Sequence, residues 1–246
     1  MNSPTLAERP LEMPLSLPQL TLALFDDTNN DLTDYVAGPN QLAFDALSLW
    51  LEGEAHWYLM LTGKSGTGKS HLIEAAVRAL DQRSVRAMYL PLREIVGMGP
   101  EILDGLESID CVAIDDIDLA AGDLRWEQAL FNLFNRMQSA AARLLVSTSA
   151  APRDCHFQLA DLSSRLTAGL SCPLIDLNDE DKQIALQRRA RTRGLSMPDN
   201  VARYLISHLR RDMHELTEIF ERIDAASLST GRELTVPFVR DVLGVS

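Results

Sequence analysis

Lysine is nearly missing from this chain: Lys64, Lys69 and Lys182 are the only three among 246 residues. In all, 23 basic side chains face 35 acidic ones, a net charge of −12. That balance excludes a strong autonomous grip on a nucleic-acid backbone, which relies on many Lys and Arg contacts, so DNA is expected only indirectly, through a partner. Cysteine is scarce too. Cys111, Cys155 and Cys172 are an odd set without C-x-x-C spacing, which excludes a disulfide framework, and Cys155-His156 has no second pair at zinc-ligand spacing. Cys111 and Cys172 lie in apolar runs and read as small core residues in a reducing cytoplasm. Long apolar runs are lacking: Trp57 to Leu61 is far short of the roughly 20 residues that cross a bilayer. No apolar stretch accompanies Glu8, Arg9 and Glu12, so the start is not a signal peptide and no membrane role is expected. Aromatics make up 6% of residues, yet the 46% hydrophobic content is that of a globular chain of one or two domains.

Three regions are expected. Residues 1–34 read as a flexible tail, punctuated by Pro4, Pro10, Pro14 and Pro18 and acidic from Asp26 to Asp34. Within it, Gln19-Leu20-Thr21-Leu22-Ala23-Leu24 alternates leucines, and an extended backbone puts Leu20, Leu22 and Leu24 on one side. From 35 to 177, apolar runs suited to buried parallel strands alternate with helical patterns. The runs are Tyr58–Thr62, Ala87–Leu90, Cys111–Ile114, Leu144–Ser147 and Pro173–Leu177. Trp126, Ala129, Leu130, Leu133, Phe134 and Met137 form one helical stripe that packs on the sheet. The expected fold class is α/β, a five-stranded parallel sheet flanked by helices. From 178 to 246 the pattern is helical throughout, with stripes Val201-Leu205-Leu209 and Met213-Leu216-Phe220-Ile223. Thr235 is placed to cap a last short helix that Gly244 stops. This reads as a small helical lid.

The segment Gly63-Lys64-Ser65-Gly66-Thr67-Gly68-Lys69-Ser70 is a full G-x-x-x-x-G-K-[ST] between a strand and an amphipathic helix. Glycines let the backbone curl so that successive N–H groups point at phosphate oxygens, and the helix N-terminus adds its positive end. Lys69 is expected at the β- and γ-phosphates and the Ser70 hydroxyl on Mg²⁺. Nucleotide binding follows, with a small-metabolite kinase still open on these residues alone. Asp115, closing the third strand, is placed to hold the Mg²⁺ shell, and Asp116 to orient an attacking water. No Lys-x-Asp motif exists among the three lysines, which disfavours a GTPase.

Two features point to a subunit-to-subunit ATPase. Ser147-Thr148-Ser149 ends the fourth strand, either as capping hydroxyls or with Thr148 sensing phosphate. Arg165 precedes the fifth strand. By itself it reads as a surface arginine; offered to a neighbour's nucleotide, it stabilises the transferring phosphoryl group, an effect on the order of 10³–10⁵ in rate.

These motifs resemble the AAA+ family of the bacterial replication initiator DnaA. The resemblance is carried by Tyr35-Val36-Ala37-Gly38-Pro39-Asn40-Gln41-Leu42-Ala43, by Gly66-Thr67-Gly68-Lys69-Ser70-His71-Leu72, by Asp115-Asp116 and by Ser164-Arg165-Leu166. It implies that Val36 lies at the adenine and that Gly63, Ser65, Gly66, Thr67, Gly68, Lys69, Ser70 and His71 hold the phosphates. It implies Thr148 as a sensor, and it puts His214 where DnaA-like lids carry a phosphate-contacting arginine. Histidine is shorter and often neutral at pH 7, which argues against efficient intrinsic turnover.

A DnaA-like AAA+ body with a short tail is similar to the Hda-type regulatory inactivators within this family. That similarity identifies Gln19, Leu20, Leu22 and Leu24 with a peptide docking on the β sliding clamp, in the manner of extended-peptide recognition. It implies stimulation of DnaA-bound ATP hydrolysis through Arg165, with the protein's own nucleotide, typically ADP, mainly structural. A homodimer stays open. Two alternatives remain: an autonomous ATPase such as a DnaC-like helicase loader, and a DnaA-like adaptor in which Arg165 is dispensable.

Overall fold

The computed structural model describes residues 31–208 and 213–244; Gln19, Leu20, Leu22 and Leu24 lie outside the described residues. Five strands form one parallel sheet: β1 (Tyr58–Thr62), β2 (Ala87–Pro91), β3 (Cys111–Asp115), β4 (Arg143–Thr148) and β5 (Leu170–Pro173). Their order is β2-β3-β4-β1-β5, so β1 lies between the two later strands β4 and β5. Crossover helices are what parallel neighbours require.

Alternation along the strands explains the layers. Tyr58, Met60, Val112, Ile114, Leu144 and Val146 join one core, against Trp126, Leu130, Leu133, Phe134 and Met137 of α3 (Leu124–Ser139). Leu59, Leu61, Cys111, Ala113 and Leu145 join the other. There they meet α1 (Gln41–Leu51) and α2 (Lys69–Gln82) through Leu47, Trp50, Leu72, Ile73, Ala76 and Leu80. A strand with apolar residues on both faces is buried on both, and each leucine fully removed from water contributes about 1.5–3 kcal/mol.

The fifth strand differs from the expected Pro173–Leu177. Pairing with β1 runs Leu59↔Leu170 to Thr62↔Pro173, so the strand starts and ends earlier. After Pro173 the chain keeps one sheet bond, from the Leu174 N–H to the Thr62 carbonyl at 2.6 Å. The buried Asn40 side chain then takes over, accepting from the Ile175 N–H and donating to the Ile175 carbonyl, both at 2.9 Å. The apolar run continued beyond the strand because Leu174 is buried under α1 and α2, outside the ladder.

The lid has its own core. α5 (Asp179–Thr192), α6 (Asp199–His208), α7 (Met213–Thr230) and α8 (Val236–Leu243) bury Leu186, Val201, Leu205, Leu216, Phe220, Ile223 and Phe238 together. Thr235 accepts from the Phe238 N–H at 3.3 Å, and Gly244 ends α8 at φ 66°. Leu32–Asp34, assigned to the tail by composition, form a 3₁₀ turn against α2 and α5. Arg188 of α5 ties that turn to the lid, donating to the Tyr35 carbonyl at 3.0 Å.

Candidate functional site

The loop between β1 and α2 is shaped by close approach. Gly63 donates to the Thr148 carbonyl at 3.1 Å, and a Cβ on Gly63 would stand 2.6 Å from the Leu174 carbonyl oxygen. Gly68 has φ +94°, in the left-handed region, and a Cβ there would press to 3.2 Å from the Tyr35 ring. Thr67 donates through its hydroxyl to the Lys64 carbonyl at 2.9 Å. The buried Lys69 ammonium donates to the carbonyls of Gly63 at 2.7 Å and Lys64 at 3.0 Å. Ser65 and Ser70 are exposed. A loop whose cation is held by its own carbonyls can pass that cation to an anion above the helix N-terminus.

Asp115, at the carboxyl end of β3, is buried. Its carboxylate accepts from the hydroxyls of Ser147, Ser70 and Tyr89, the last at 3.2 Å. Burial pushes its carboxyl above the ordinary range, opposed by the Ser147 and Ser70 bonds. A buried carboxylate touching an exposed hydroxyl is a donor set that fits Mg²⁺, an ion that takes few protein oxygens and keeps its waters. Ser70 and Asp115 are the residues that would hold it.

Asp116 adopts the left-handed conformation, φ 54° and ψ 49°, which a non-glycine residue adopts at an energetic cost. Its N–H donates to the Ser147 hydroxyl at 2.8 Å, and its carboxylate pairs with Arg93 at 3.2 Å. Thr148, read either as a strand-end cap or as a phosphate sensor, places its hydroxyl in the local turn. It donates to the Ala150 carbonyl at 2.7 Å and lies 3.1 Å from the Cys155 sulfur. The strand-end hydroxyl that meets both acids is Ser147, because side chains alternate along β4 and a one-residue step reverses the face.

Val36 is half-buried between the Leu32–Asp34 turn and Gly38. Its neighbour Tyr35 stacks on Phe44 with centroids 5.6 Å apart and tilts against His71 at the same separation. Burial raises the Tyr35 hydroxyl to about 12. His71, in the first turn of α2, is held down to about 4 by burial first and by the charge of Arg189 second. His214 is exposed at the start of α7, 3.4 Å from Glu218 one turn on. Among the described residues, Arg189 of α5 is the lid cation whose charge acts on His71. Its other partner is Glu221, at 2.8 Å.

Arg165 lies on α4 (Ala160–Thr167), next to β5. Leu162 and Leu166 of this helix are buried; Ser164 and Arg165 are exposed. Among the described residues Arg165 forms no ion pair. The helix is anchored at both ends. Ahead of it, fully buried Glu127 of α3 accepts from the N–H groups of Gly122 at 2.8 Å, Gln158 at 3.1 Å and Leu159 at 2.6 Å. Near its end, the Tyr58 hydroxyl donates to the Leu166 carbonyl at 3.0 Å. Glu127 escaped the sequence reading because an acid in the first turn of a helix looks like ordinary dipole complementation; only the returning loop reveals its partners.

Among the described residues no helix is long and apolar enough to cross a membrane. Comparison with known proteins places the chain. The family model for the bacterial DnaA ATPase domain matches residues 27–173, and that for the Hda lid domain matches 179–243. Domain III of the Thermotoga maritima initiator DnaA aligns with a TM-score of 0.76 at 19% identity, over 89% of this chain and 97% of that one. AMPPCP-bound DnaA from Aquifex aeolicus aligns at 0.65 and 20%, over 83% and 68%. The Thermotoga maritima RuvB branch-migration motor follows at 0.60 and 16%, over 83% and 67%. At these identities the likeness speaks for the fold: a parallel five-stranded sheet with a helical lid behind it. With the DnaA ATPase-domain match covering more than half of its residues and the Hda lid match taking up the helices that follow, this chain belongs to the DnaA-like AAA+ family.

Proposed function

We propose that this protein is a nucleotide-binding regulator of the initiator DnaA. Docked through Gln19, Leu20, Leu22 and Leu24 on a β sliding clamp loaded on DNA, it stimulates hydrolysis of the ATP that DnaA holds. The protein works in the cytoplasm and reaches the nucleoid through the clamp. DNA is met only indirectly, and nothing requires a membrane.

The observation that carries this reading is Arg165: exposed, without an ion pair among the described residues, on a helix anchored by Glu127 and Tyr58. A guanidinium offered in trans must be free of partners at home and fixed in position, because its effect lies in stabilising charge on another molecule's phosphoryl group. The chain's own nucleotide, ADP or ATP, sits at Gly63–His71, with Lys69 moving from the Gly63 and Lys64 carbonyls to phosphate oxygens. Mg²⁺ bound there supplies charge neutralisation of the phosphates. Asp116 is paired with Arg93 and constrained in the left-handed region, which favours a structural nucleotide over rapid turnover. That weighs against the autonomous ATPase alternative.

The test is turnover of DnaA-bound ATP on clamp-loaded DNA, with and without the protein. Stimulation is expected with the full chain, is lost with Gln19→Ala together with clamp binding, and is lost with Arg165→Ala while clamp binding stays. A folded Arg165→Ala protein that still stimulates turnover leaves the adaptor reading in its place.

A further inference from the structure

At the amino ends of the strands, the far end of the sheet from the phosphate loop, a cavity of about 530 Å³ is lined in part by Trp57, Arg86, Glu107, Ile109, Asp110 and Arg143. Its volume is that of a small-molecule site. The five residues of β1 separate it from Gly63, about 16 Å along the strand. The charges on its wall are unevenly matched. Arg86 holds Asp110 side-on, Nε donating to one carboxylate oxygen at 3.1 Å and Nη2 to the other at 2.7 Å. Glu107 accepts from Arg136 Nε at 2.9 Å. Half-buried Arg143 has no carboxylate partner among the described residues. Its Nη1 donates to the carbonyls of Trp50 at 3.1 Å and Leu51 at 3.2 Å, where α1 ends, and its guanidinium lies 5.3 Å over the Trp50 ring. Those contacts fix the plane of the group. They leave its Nε–Nη2 edge, the one Arg86 uses on Asp110, without a hydrogen bond among the described residues and open to solvent. Trp57 is held as well, packed edge-on with Phe134 at 4.9 Å and accepting through its carbonyl from the Trp50 indole at 3.3 Å.

We propose that this cavity binds a small-molecule carboxylate with a flat apolar body, its two oxygens taken side-on by Arg143 Nε and Nη2 and its body resting against Trp57 and Ile109. A carboxylate suits that edge because two parallel N–H groups meet its two oxygens, as Arg86 meets Asp110 in the same wall. A cationic ligand finds no such partner, since Asp110 and Glu107 are each already paired with an arginine. Inorganic phosphate can take the same fork but leaves the indole and Ile109 uncovered. The site is separate from the phosphate loop and does not depend on what that loop holds.

The experiment is calorimetric titration of the full chain with benzoate, with and without ADP and Mg²⁺. A Kd of about 1 mM or tighter is expected, the same in both conditions. Benzamide, of the same shape without the charge, should bind about tenfold more weakly or worse. Arg143→Lys keeps a cation within reach of the α1 carbonyls but has no fork, and should weaken benzoate by about tenfold while ADP affinity is unchanged. Trp57→Leu should weaken benzoate and benzamide by the same factor. The comparison with benzamide is made on wild-type protein, so it decides the matter even where Arg143→Lys does not fold. Absence of benzoate binding, equal affinity for benzamide, or undiminished affinity in folded Arg143→Lys overturns the proposal. Displacement of benzoate by an equal concentration of inorganic phosphate, or by ADP and Mg²⁺, overturns it too, the latter by assigning the binding to the phosphate loop.

Discussion

At the phosphate loop the charged and polar groups are turned inward: Lys69 onto the Gly63 and Lys64 carbonyls, Ser70 onto Asp115, Asp116 onto Arg93. On α4 the reverse holds, and Arg165 is exposed with no ionic partner among the described residues while every hydrogen bond near it serves to fix the helix. The contrast separates a site that receives a ligand from a group made to be given. The groups expected to meet phosphate and cation, Lys69 and Ser70, keep partners of their own until a ligand replaces them, since buried groups left alone are costly. A donated guanidinium stays in water, where waiting costs little, and its backbone is made rigid so that the geometry is not lost on contact.

The largest expected effect breaks the donating side. Arg165→Ala should lower stimulation of DnaA-bound ATP turnover by about 10³-fold, while nucleotide affinity of the variant, measured by calorimetry, stays within twofold of wild type. Loss of both together would erase the distinction. Lys69→Ala breaks the receiving side: ADP affinity should fall by about 100-fold, from the loss of charge-assisted contacts to phosphate. If affinity is unchanged, the ammonium is merely a loop brace.

Glu127→Gln sharpens the comparison by disturbing Arg165 without touching it. Its carboxylate accepts three backbone N–H groups in a fully buried position. An amide can serve only part of that set, and a loss of about 2–3 kcal/mol is expected in urea unfolding. Stimulation of DnaA should fall more than nucleotide affinity does; an equal fall in both would mean that the helix and the loop are not separable.

The smallest effect is a pH dependence on the receiving side. Folding lowers His71 from 6.5 to about 4, chiefly by burial. Between those values the unfolded chain binds a proton that the folded chain refuses. Stability therefore declines as pH falls from about 6.5 toward about 4 and is level in this respect below it, a change of roughly 1–3 kcal/mol. The stability difference between wild type and His71→Gln should narrow or reverse across that interval. Parallel curves would show that the ring is not held neutral by its surroundings.

Much of this fold was legible along the chain. Four of the five strands lie where apolar runs were bounded by turn signals, and the α3 and α7 stripes are buried as their spacing required. The phosphate loop was legible because its chemistry is local: eight consecutive residues carry the curl, the cation and the hydroxyl. What stayed hidden shares a cause. Thr148 and Ser147 are adjacent hydroxyls, and only the register of β4 against β1 and β3 decides which one meets the acids. Asn40 closes a contact with Ile175 across 135 residues. Glu127 and Arg189 carry no local signal, because their partners arrive from loops and helices far along the chain.

The sequence alone determined the layering, the phosphate loop with its Lys69 and Ser70, and the acids Asp115 and Asp116, because these depend on short-range periodicity and on contiguous residues. Tertiary structure alone decided that Ser147 bridges those acids, that Glu127 and Tyr58 brace the helix carrying an exposed Arg165, and that Asn40 closes onto Ile175. Such pairings join residues far apart in the chain, and their energies come from burial and partner geometry, which no local pattern encodes.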